Sequence, residues 1–283
     1  MTADTTPSHA TRQAAELFTL PLGRASHPAS GNRPGQSTGS SIDFQDHRSY
    51  LPGDDPRHID WSAYARTGHY FMKLYRAEVR PMVDLVVDSS ASMTFPADKA
   101  VRSAELLAFC VEASLRAGAS LRVHAVGAGG VSPIVHEDAL RGFPKCAPCG
   151  SAPDLEAVPW RAGSLRVWLS DLLYPRSPVP VIGRLLAGNG SGVILAPHSP
   201  HESSPDWLGN IELVDSESRA RAHHHFREHD MARYQDAYAR HFASWSAESR
   251  KWAVPLGRVP SSGPLVTALT AHALPVGAVV FAR

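Results

Sequence analysis

The hydrophobic pattern of the chain is a series of short apolar runs that alternate with helical stretches. Apolar runs of strand length predict β-strands at residues 83–88, 121–126, 165–172 and 192–195. Helices are predicted between them at residues 99–117, with Gly118 as the stop, and at 181–187. This alternation is typical of a mostly parallel sheet with right-handed crossovers and flanking helices. The sequence therefore predicts an α/β fold.

Oxygen-bearing side chains gather where two of these strands end. Asp88 closes the first strand, and Ser90 and Ser92 follow it in a D-x-S-x-S cluster. The strand that begins at Leu165 leads in the same way to Asp171. Open α/β sheets hold ligands at the carboxyl ends of strands, and Mg²⁺ prefers hard oxygen donors. The pattern predicts a Mg²⁺ (or Mn²⁺) site, while hydroxyls that merely cap the following helix would produce the same pattern.

Two sets of residues resemble known families. Asp88, Ser90 and Ser92 with Asp171 resemble the metal-ion-dependent adhesion site of von Willebrand factor A domains. The run RSYLPGDDPRHIDW at residues 48–61 is similar to the signature of the bacterial "domain of unknown function 58" family. This resemblance covers about residues 20–281. It implies a von Willebrand A-like (Rossmann-type) domain preceded by a short β-rich extension.

The resemblance also implies a role for each ligand. Ser90 and Ser92 would bind the cation directly, and Asp88 and Asp171 would orient waters and hydroxyls around it. Sites of this type take a further direct ligand from a threonine in a middle loop. The chain has no threonine between Thr94 and Asp171, so Ser151 is the nearest substitute.

The resemblance further implies a binding function. A cation held mainly by hydroxyls stays electrophilic, so an acidic side chain of a protein partner can fill its open position. Proteins of the resembled family are commonly associated with MoxR-type AAA+ ATPases. The expected role is an adaptor in a chaperone-like assembly and not an enzyme, although the same metal could in principle activate water for hydrolysis at Asp88.

The resemblance and the composition together divide the chain into three parts. Residues 1–41 are expected to form a weakly ordered arm with a short helix at 10–18, because residues 26–41 are rich in Gly, Ser and Pro. Residues 42–82 would form the β-rich extension, and residues 83–283 the α/β domain. Within the extension, we expect an ion-pair cluster around residues 54–57, and a strand at 70–79 that pairs near the Val83 strand.

Composition excludes several function classes. The chain has 283 residues and a formal net charge of +1, with no basic run interleaved with aromatic residues, which argues against nucleic-acid binding. No apolar stretch is long enough to span a membrane. Residues 1–9 lack the basic and apolar parts of a signal peptide, so a cytoplasmic location is expected.

Histidines offer a competing hypothesis. Residues 225–229 read H-F-R-E-H and match the H-x-x-E-H pattern of inverted zinc peptidases. On a helix, His225 and His229 would share a face, and Glu228 could act as a base. The alternative is an apolar stripe that docks on the domain and leaves the histidines at its surface; its members would be Phe226, Tyr234, Tyr238, Phe242 and Trp245.

Three cysteines are too few for a disulfide framework. Cys110 lies on an apolar helix face and is expected in the core. Cys146 and Cys149 form a C-x-x-C pair, which could be a redox pair or half of a zinc site. Zinc would need two further ligands, and a thioredoxin-like pair would need an apolar strand before Cys146.

Overall fold

The computed structural model describes residues 8–24, 44–75, 80–145 and 153–282. Ser151, Cys146 and Cys149 therefore lie outside the described residues. The chain divides into two compact units, one made of Met1–Pro28 with Pro81–Arg283 and the other of Ala29–Arg80. Within the described ranges, no helix combines the length and apolar character needed to cross a lipid bilayer.

The helices and strands follow one another along both units. In chain order they are α1 (His9–Leu17), β1 (Phe18–Thr19), β2 (Phe44–Ser49), α2 (Trp61–Thr67), β3 (Phe71–Tyr75), β4 (Met82–Asp88), α3 (Ala97–Arg116), β5 (Ser120–Gly127), β6 (Gly130–Ile134), α4 (His136–Arg141), β7 (Leu165–Leu169), α5 (Pro178–Leu186), β8 (Ser191–His198), α6 (Pro200–Ser203), β9 (Gly209–Val214), β10 (Arg221–Phe226), α7 (Glu228–Lys251), β11 (Leu256–Pro260), α8 (Leu265–His272) and β12 (Val280–Phe281).

A six-stranded sheet forms the centre of the larger unit. Its strand order is β11-β8-β7-β4-β5-β6. The first five strands run parallel, and β6 pairs antiparallel with β5. This architecture confirms the predicted α/β fold with a mostly parallel sheet. Gly118 ends the turn after α3 with a left-handed φ of 65°, as a helix stop requires.

Helices cover both faces of this sheet. Side chains alternate along β4, so Val83, Leu85 and Val87 pack in one apolar cluster and Val86 packs in another. The first cluster includes residues of α1, α3 and α8, and the second includes residues of α5 and α7. Because both faces are covered, the strands carry continuous apolar runs rather than alternating ones. Cys110 of α3 is fully buried in the first cluster, as expected.

The N-terminal helix α1 is part of this core. Ser8 caps it by accepting a hydrogen bond from the Thr11 amide, and Ala14, Ala15 and Phe18 are buried in the first cluster. Strand β1 continues from the helix and pairs antiparallel with β12. The division that placed residues 1–41 in a weakly ordered arm did not predict this packing.

The smaller unit contains the charged extension. Strands β2 and β3 pair antiparallel, and α2 lies between them in the chain. Arg48 binds the carboxylate of Asp54 through two hydrogen bonds of 2.6 and 2.7 Å. The prediction that residues 70–79 pair near the Val83 strand is wrong for the described part, because both edges of β4 are already taken by β5 and β7.

The C-terminal region adds elements that the sequence pattern misplaced or missed. Strands β9 and β10 form a two-stranded hairpin of their own, which was not predicted. Strand β11 pairs parallel with β8 at the edge of the six-stranded sheet. Helix α8 then packs into the first cluster and closes the unit.

Candidate metal centre

The D-x-S-x-S cluster folds back on itself at the end of β4. The Ser90 amide donates a hydrogen bond of 2.9 Å to Asp88 Oδ1, so the aspartate shapes the turn that follows it. Ser90 Oγ and Ser92 Oγ then lie 3.1 Å apart. The structure thus brings together Asp88, Ser90 and Ser92, the three neighbouring residues predicted from sequence.

Asp88 is a buried carboxyl with hydroxyl and amide partners. Its side chain is nearly inaccessible, and Ser170 donates a hydrogen bond of 2.7 Å to its Oδ2. Burial, followed by the charge of Asp171, raises the pKa of Asp88 to about 7. Ser170 lies between the end of β7 and Asp171, and sequence analysis did not single it out.

Asp171 is paired with a buried lysine. Lys99 Nζ lies 2.9 Å from Asp171 Oδ2. It also forms a salt bridge with Glu202, which lies on the short helix α6. The Lys99 side chain is fully buried. Burial acts to lower its pKa, but the charges of Asp171 and Glu202 together hold the pKa above its usual value. Asp171 therefore lies at the predicted end of its strand, and its carboxylate is already paired with the ammonium group of Lys99.

Glu217 approaches the same turn from far along the chain. It lies in the turn between β9 and β10, and its Oε1 accepts a hydrogen bond of 2.8 Å from the Ser92 amide. The side chain is half-buried, although its neighbours Ser218 and Arg219 are exposed. Sequence analysis did not find this residue.

The donor set suits a small hard cation. An octahedral ion with oxygen ligands at 2.0–2.1 Å places adjacent oxygens about 3 Å apart. Ser90 Oγ and Ser92 Oγ meet that spacing at 3.1 Å. Four carboxylates and one ammonium lie in this network, namely Asp88, Asp171, Glu202, Glu217 and Lys99, so its negative charge exceeds its positive charge. The two serine hydroxyls are the donors whose spacing fits a divalent cation, whereas the carboxylates do not form a group of three or more that could hold a metal within the described residues.

The zinc-peptidase hypothesis fails on secondary structure. His225 belongs to strand β10, whereas helix α7 begins at Glu228, so the H-x-x-E-H residues do not share a helix. Both His225 and His229 are exposed, and His225 Nδ1 lies 2.7 Å from Asn210 Oδ1 in the hairpin. No group of three or more His, Cys, Asp or Glu suited to a metal occurs within the residues that the structure describes. The helical zinc motif of the competing hypothesis is therefore not formed, and both histidines lie at the surface.

The aromatic residues of the predicted stripe have two different positions. Phe242 and Trp245 of α7 are buried in the second apolar cluster, as a docking stripe requires. Phe226 lies on β10, where its ring centroid is 5.8 Å from that of Trp207. Tyr234 donates a hydrogen bond to the Glu202 carbonyl and so holds α7 near the candidate centre.

Comparison with known proteins gives a family and uncharacterised relatives. Residues 46–128 match the family described as "Protein of unknown function DUF58". Proteins of Mycobacterium bovis and Mycobacterium tuberculosis, each named "Uncharacterized protein", are 28% identical over an alignment of 216 residues, and the match covers 68% of this chain and 62% of theirs. The chain thus spans less than two thirds of the length of these relatives. The matched segment includes the D-x-S-x-S cluster and Lys99, and the resemblance to the "domain of unknown function 58" family is confirmed through residues 46–128.

Proposed function

We propose that the carboxyl end of the sheet binds a divalent cation, Mg²⁺ or Mn²⁺, and that the protein recognises a protein partner there. In this proposal the protein binds and does not catalyse. The observation that carries it is the 3.1 Å approach of Ser90 Oγ and Ser92 Oγ beside a buried carboxyl. Hydroxyls at that spacing match adjacent corners of an octahedral site.

Each residue has a defined part in this proposal. Ser90 and Ser92 would hold the cation directly. Asp88 would orient the ligands, since it already binds the Ser90 amide and the Ser170 hydroxyl. Asp171 would contribute negative charge while Lys99 fixes its carboxylate. The bound cation supplies one electrophilic position that an acidic side chain can fill.

Ser151 enters the proposal through the family resemblance alone. It would take the place of the threonine that von Willebrand A-like sites use, and it lies outside the described residues. A serine keeps the hydroxyl oxygen of threonine and lacks its methyl group. Replacement of Ser151 by alanine would remove that oxygen and is therefore expected to weaken cation binding.

The proposed partner is a MoxR-type AAA+ ATPase, with this protein as an adaptor in a cytoplasmic, chaperone-like assembly. Support for this partner comes from the family resemblance. The chemistry of the centre adds that the contact should use a carboxylate of the partner and should need the cation. Release of a co-purifying ATPase by chelator, without unfolding of this protein, is the expected result.

Thermal unfolding with and without Mg²⁺ or Mn²⁺ tests the centre. A ligand that binds only the folded state adds about 2.7 kcal/mol of stability at 100 times its Kd, so the melting temperature of the wild type should rise. Asp88→Asn and Ser90→Ala should abolish the rise. Ser89→Ala is the matched control, because the Ser89 hydroxyl donates to the Val126 carbonyl and is not a proposed ligand. An equal rise in wild type and Asp88→Asn would contradict the proposal.

A further inference from the structure

The turn of the β9–β10 hairpin, residues 215–220, places a carboxylate against the candidate centre. We propose that Glu217 is an internal acidic ligand of this centre and that the turn covers the position which an acidic side chain of a partner must take. This inference rests on the proposed cation site and concerns how access to that site is regulated. A carboxylate of the partner would compete with Glu217 for the bound cation.

The contact joins two distant parts of the chain at one residue. Ser92 supplies a hydroxyl to the proposed centre, and its amide donates the 2.8 Å hydrogen bond to Glu217 Oε1. The two residues are 125 positions apart in sequence, so the tertiary fold and not local chain geometry brings them together. Because the Glu217 carboxylate binds the backbone amide of Ser92, it lies no further from the Ser92 hydroxyl than about the length of a side chain.

The turn itself fixes the direction of Glu217. Asp215 Oδ1 accepts hydrogen bonds of 2.9 Å from the Glu217 amide and from Ser218 Oγ. The Asp215 amide donates to the Ala220 carbonyl, which closes the loop. These hydrogen bonds thus fix the backbone conformation of the turn that carries Glu217.

The hairpin that carries Glu217 is anchored at its base. Strands β9 and β10 pair with each other in a two-stranded sheet, and the first five residues of β10 are exposed. A two-stranded hairpin is marginally stable by itself in water. Its base is anchored, since the Trp207 ring lies 5.8 Å from Phe226 and 5.5 Å from Tyr234 of α7, measured between centroids. Release of Glu217 therefore requires motion of the tip while the base stays packed.

Charge sets how strongly the tip is held. The Glu217 carboxylate already binds the Ser92 amide, and a divalent cation bound at the Ser92 hydroxyl would attract it further. Cation binding should then strengthen the closed position of the tip, and a partner carboxylate should open it by displacement. By linkage, removal of the Glu217 charge must strengthen binding of an external carboxylate to the cation-loaded protein.

Mn²⁺ and water-proton relaxation provide the test. An internal ligand displaces one water from bound Mn²⁺, so Glu217→Gln should increase the relaxation enhancement per bound ion. N-acetylglutamate amide, used as the external carboxylate, should then reduce that enhancement at about a tenfold lower concentration than in the wild type, because an internal competitor acts at a millimolar effective concentration. Glu217→Asp, whose side chain is shorter, should behave in the same direction.

Glu212→Gln is the matched control. Glu212 lies on β9 of the same hairpin, and it pairs with Arg221 at 3.1 Å. Its loss of charge should leave both measurements at wild-type values. Equal enhancement and equal probe affinity in the wild type and both Glu217 variants, with Mn²⁺ bound in all, would overturn the role of Glu217. Absence of Mn²⁺ binding in the wild type and the variants would instead overturn the proposed centre itself.

Discussion

Strand β4 carries two buried aspartates four residues apart, and their surroundings differ in one respect. Asp84 accepts hydrogen bonds of 2.6 and 2.8 Å from the side chain and amide of Arg161, and one of 2.7 Å from Ser164. Asp88 accepts from the Ser90 amide and from Ser170, and within the described residues it forms no ion pair. Each aspartate is about 1% exposed.

The difference separates a structural carboxylate, Asp84, from Asp88, which belongs to the proposed cation site. Each aspartate accepts a hydrogen bond from a serine next to an end of β7, and Asp84 also pairs with the guanidinium of Arg161. A buried charge is tolerated when it is paired and hydrogen-bonded, and it is costly when it is not. The chain supplies its own cation at Asp84. For Asp88, the described residues supply no cation, so the carboxyl keeps its proton up to a pKa of about 7 unless the proposed divalent cation balances its charge.

Removal of the guanidinium should have the largest effect. Arg161→Met leaves the Asp84 carboxylate buried without its cation and also removes hydrogen bonds to the Val83 and Ser120 carbonyls. We expect the free energy of unfolding to fall by about 3–5 kcal/mol, because one partner of a buried pair is lost. Denaturant unfolding at neutral pH measures this change.

An exposed arginine provides the comparison for that result. Arg141 pairs with Asp138 at 3.2 Å, and both side chains are more than half exposed. Arg141→Met should change stability by less than about 1 kcal/mol. Similar losses for the two arginines would mean that burial of Asp84 does not determine the strength of its pairing.

Asp88 forms no ion pair within the described residues, so it should make the free energy of unfolding depend on pH. Its pKa of about 7 in the folded protein exceeds the usual value of about 3.9 expected when unfolded. Between those values the folded state holds a proton that the unfolded state has lost. The free energy of unfolding of metal-free protein should therefore fall as pH rises from about 4 to about 7, by at most about 1.4 kcal/mol per pH unit from this group.

Asp88→Asn isolates this contribution. The variant cannot ionise at that position, so its stability should decline less over the same pH range, measured by urea unfolding in chelator. Mg²⁺ should reduce the decline in the wild type, since a cation favours the ionised carboxylate. A decline of equal size in wild type and variant would show that other groups, such as half-buried Glu202, dominate the pH dependence.

The two serines should give the smallest effect and the closest comparison. Ser164 and Ser170 each donate a 2.7 Å hydrogen bond to one of the aspartates. Ser164→Ala should cost the same at pH 5.5 and pH 8.5, because Asp84 stays paired with Arg161. Ser170→Ala should cost about 1 kcal/mol more at pH 8.5, where its bond is to an ionised acceptor. A pH-independent cost for Ser170→Ala would contradict the assigned ionisation of Asp88.

The sequence predicted the parts of the fold that local patterns determine. Apolar runs located β4, β5, β7 and β8, and helical periodicity located α3, because strand and helix periods are visible within ten to twenty residues. The pairing of residues 71–75 was predicted wrongly, since strand partners depend on which edges are free in three dimensions. The hairpin β9–β10 was missed, although alternation over Ile211–Val214 and a turn rich in Asp and Ser pointed to it.

The candidate site was predictable in part for the same reason. Asp88, Ser90 and Ser92 are neighbours in sequence, and Asp171 ends an adjacent strand, so strand order alone brings them near. Lys99 reaches Asp171 from a separate helix and Glu217 comes from 125 residues beyond Ser92, and no local pattern encodes such contacts. The H-x-x-E-H residues do not form a helical motif, because a five-residue pattern carries no information about where a helix begins.

The outer strand β6 has a consequence for how copies of this protein meet. Pro133 is the fourth of the five residues of that strand and lies opposite His124 of β5, and proline has no amide hydrogen to donate. An incoming strand would find an incomplete row of donors along this edge, so continuous sheet extension between molecules is disfavoured there. Self-association into fibre-like stacks is thus impeded at the same edge of the fold that completes the sheet.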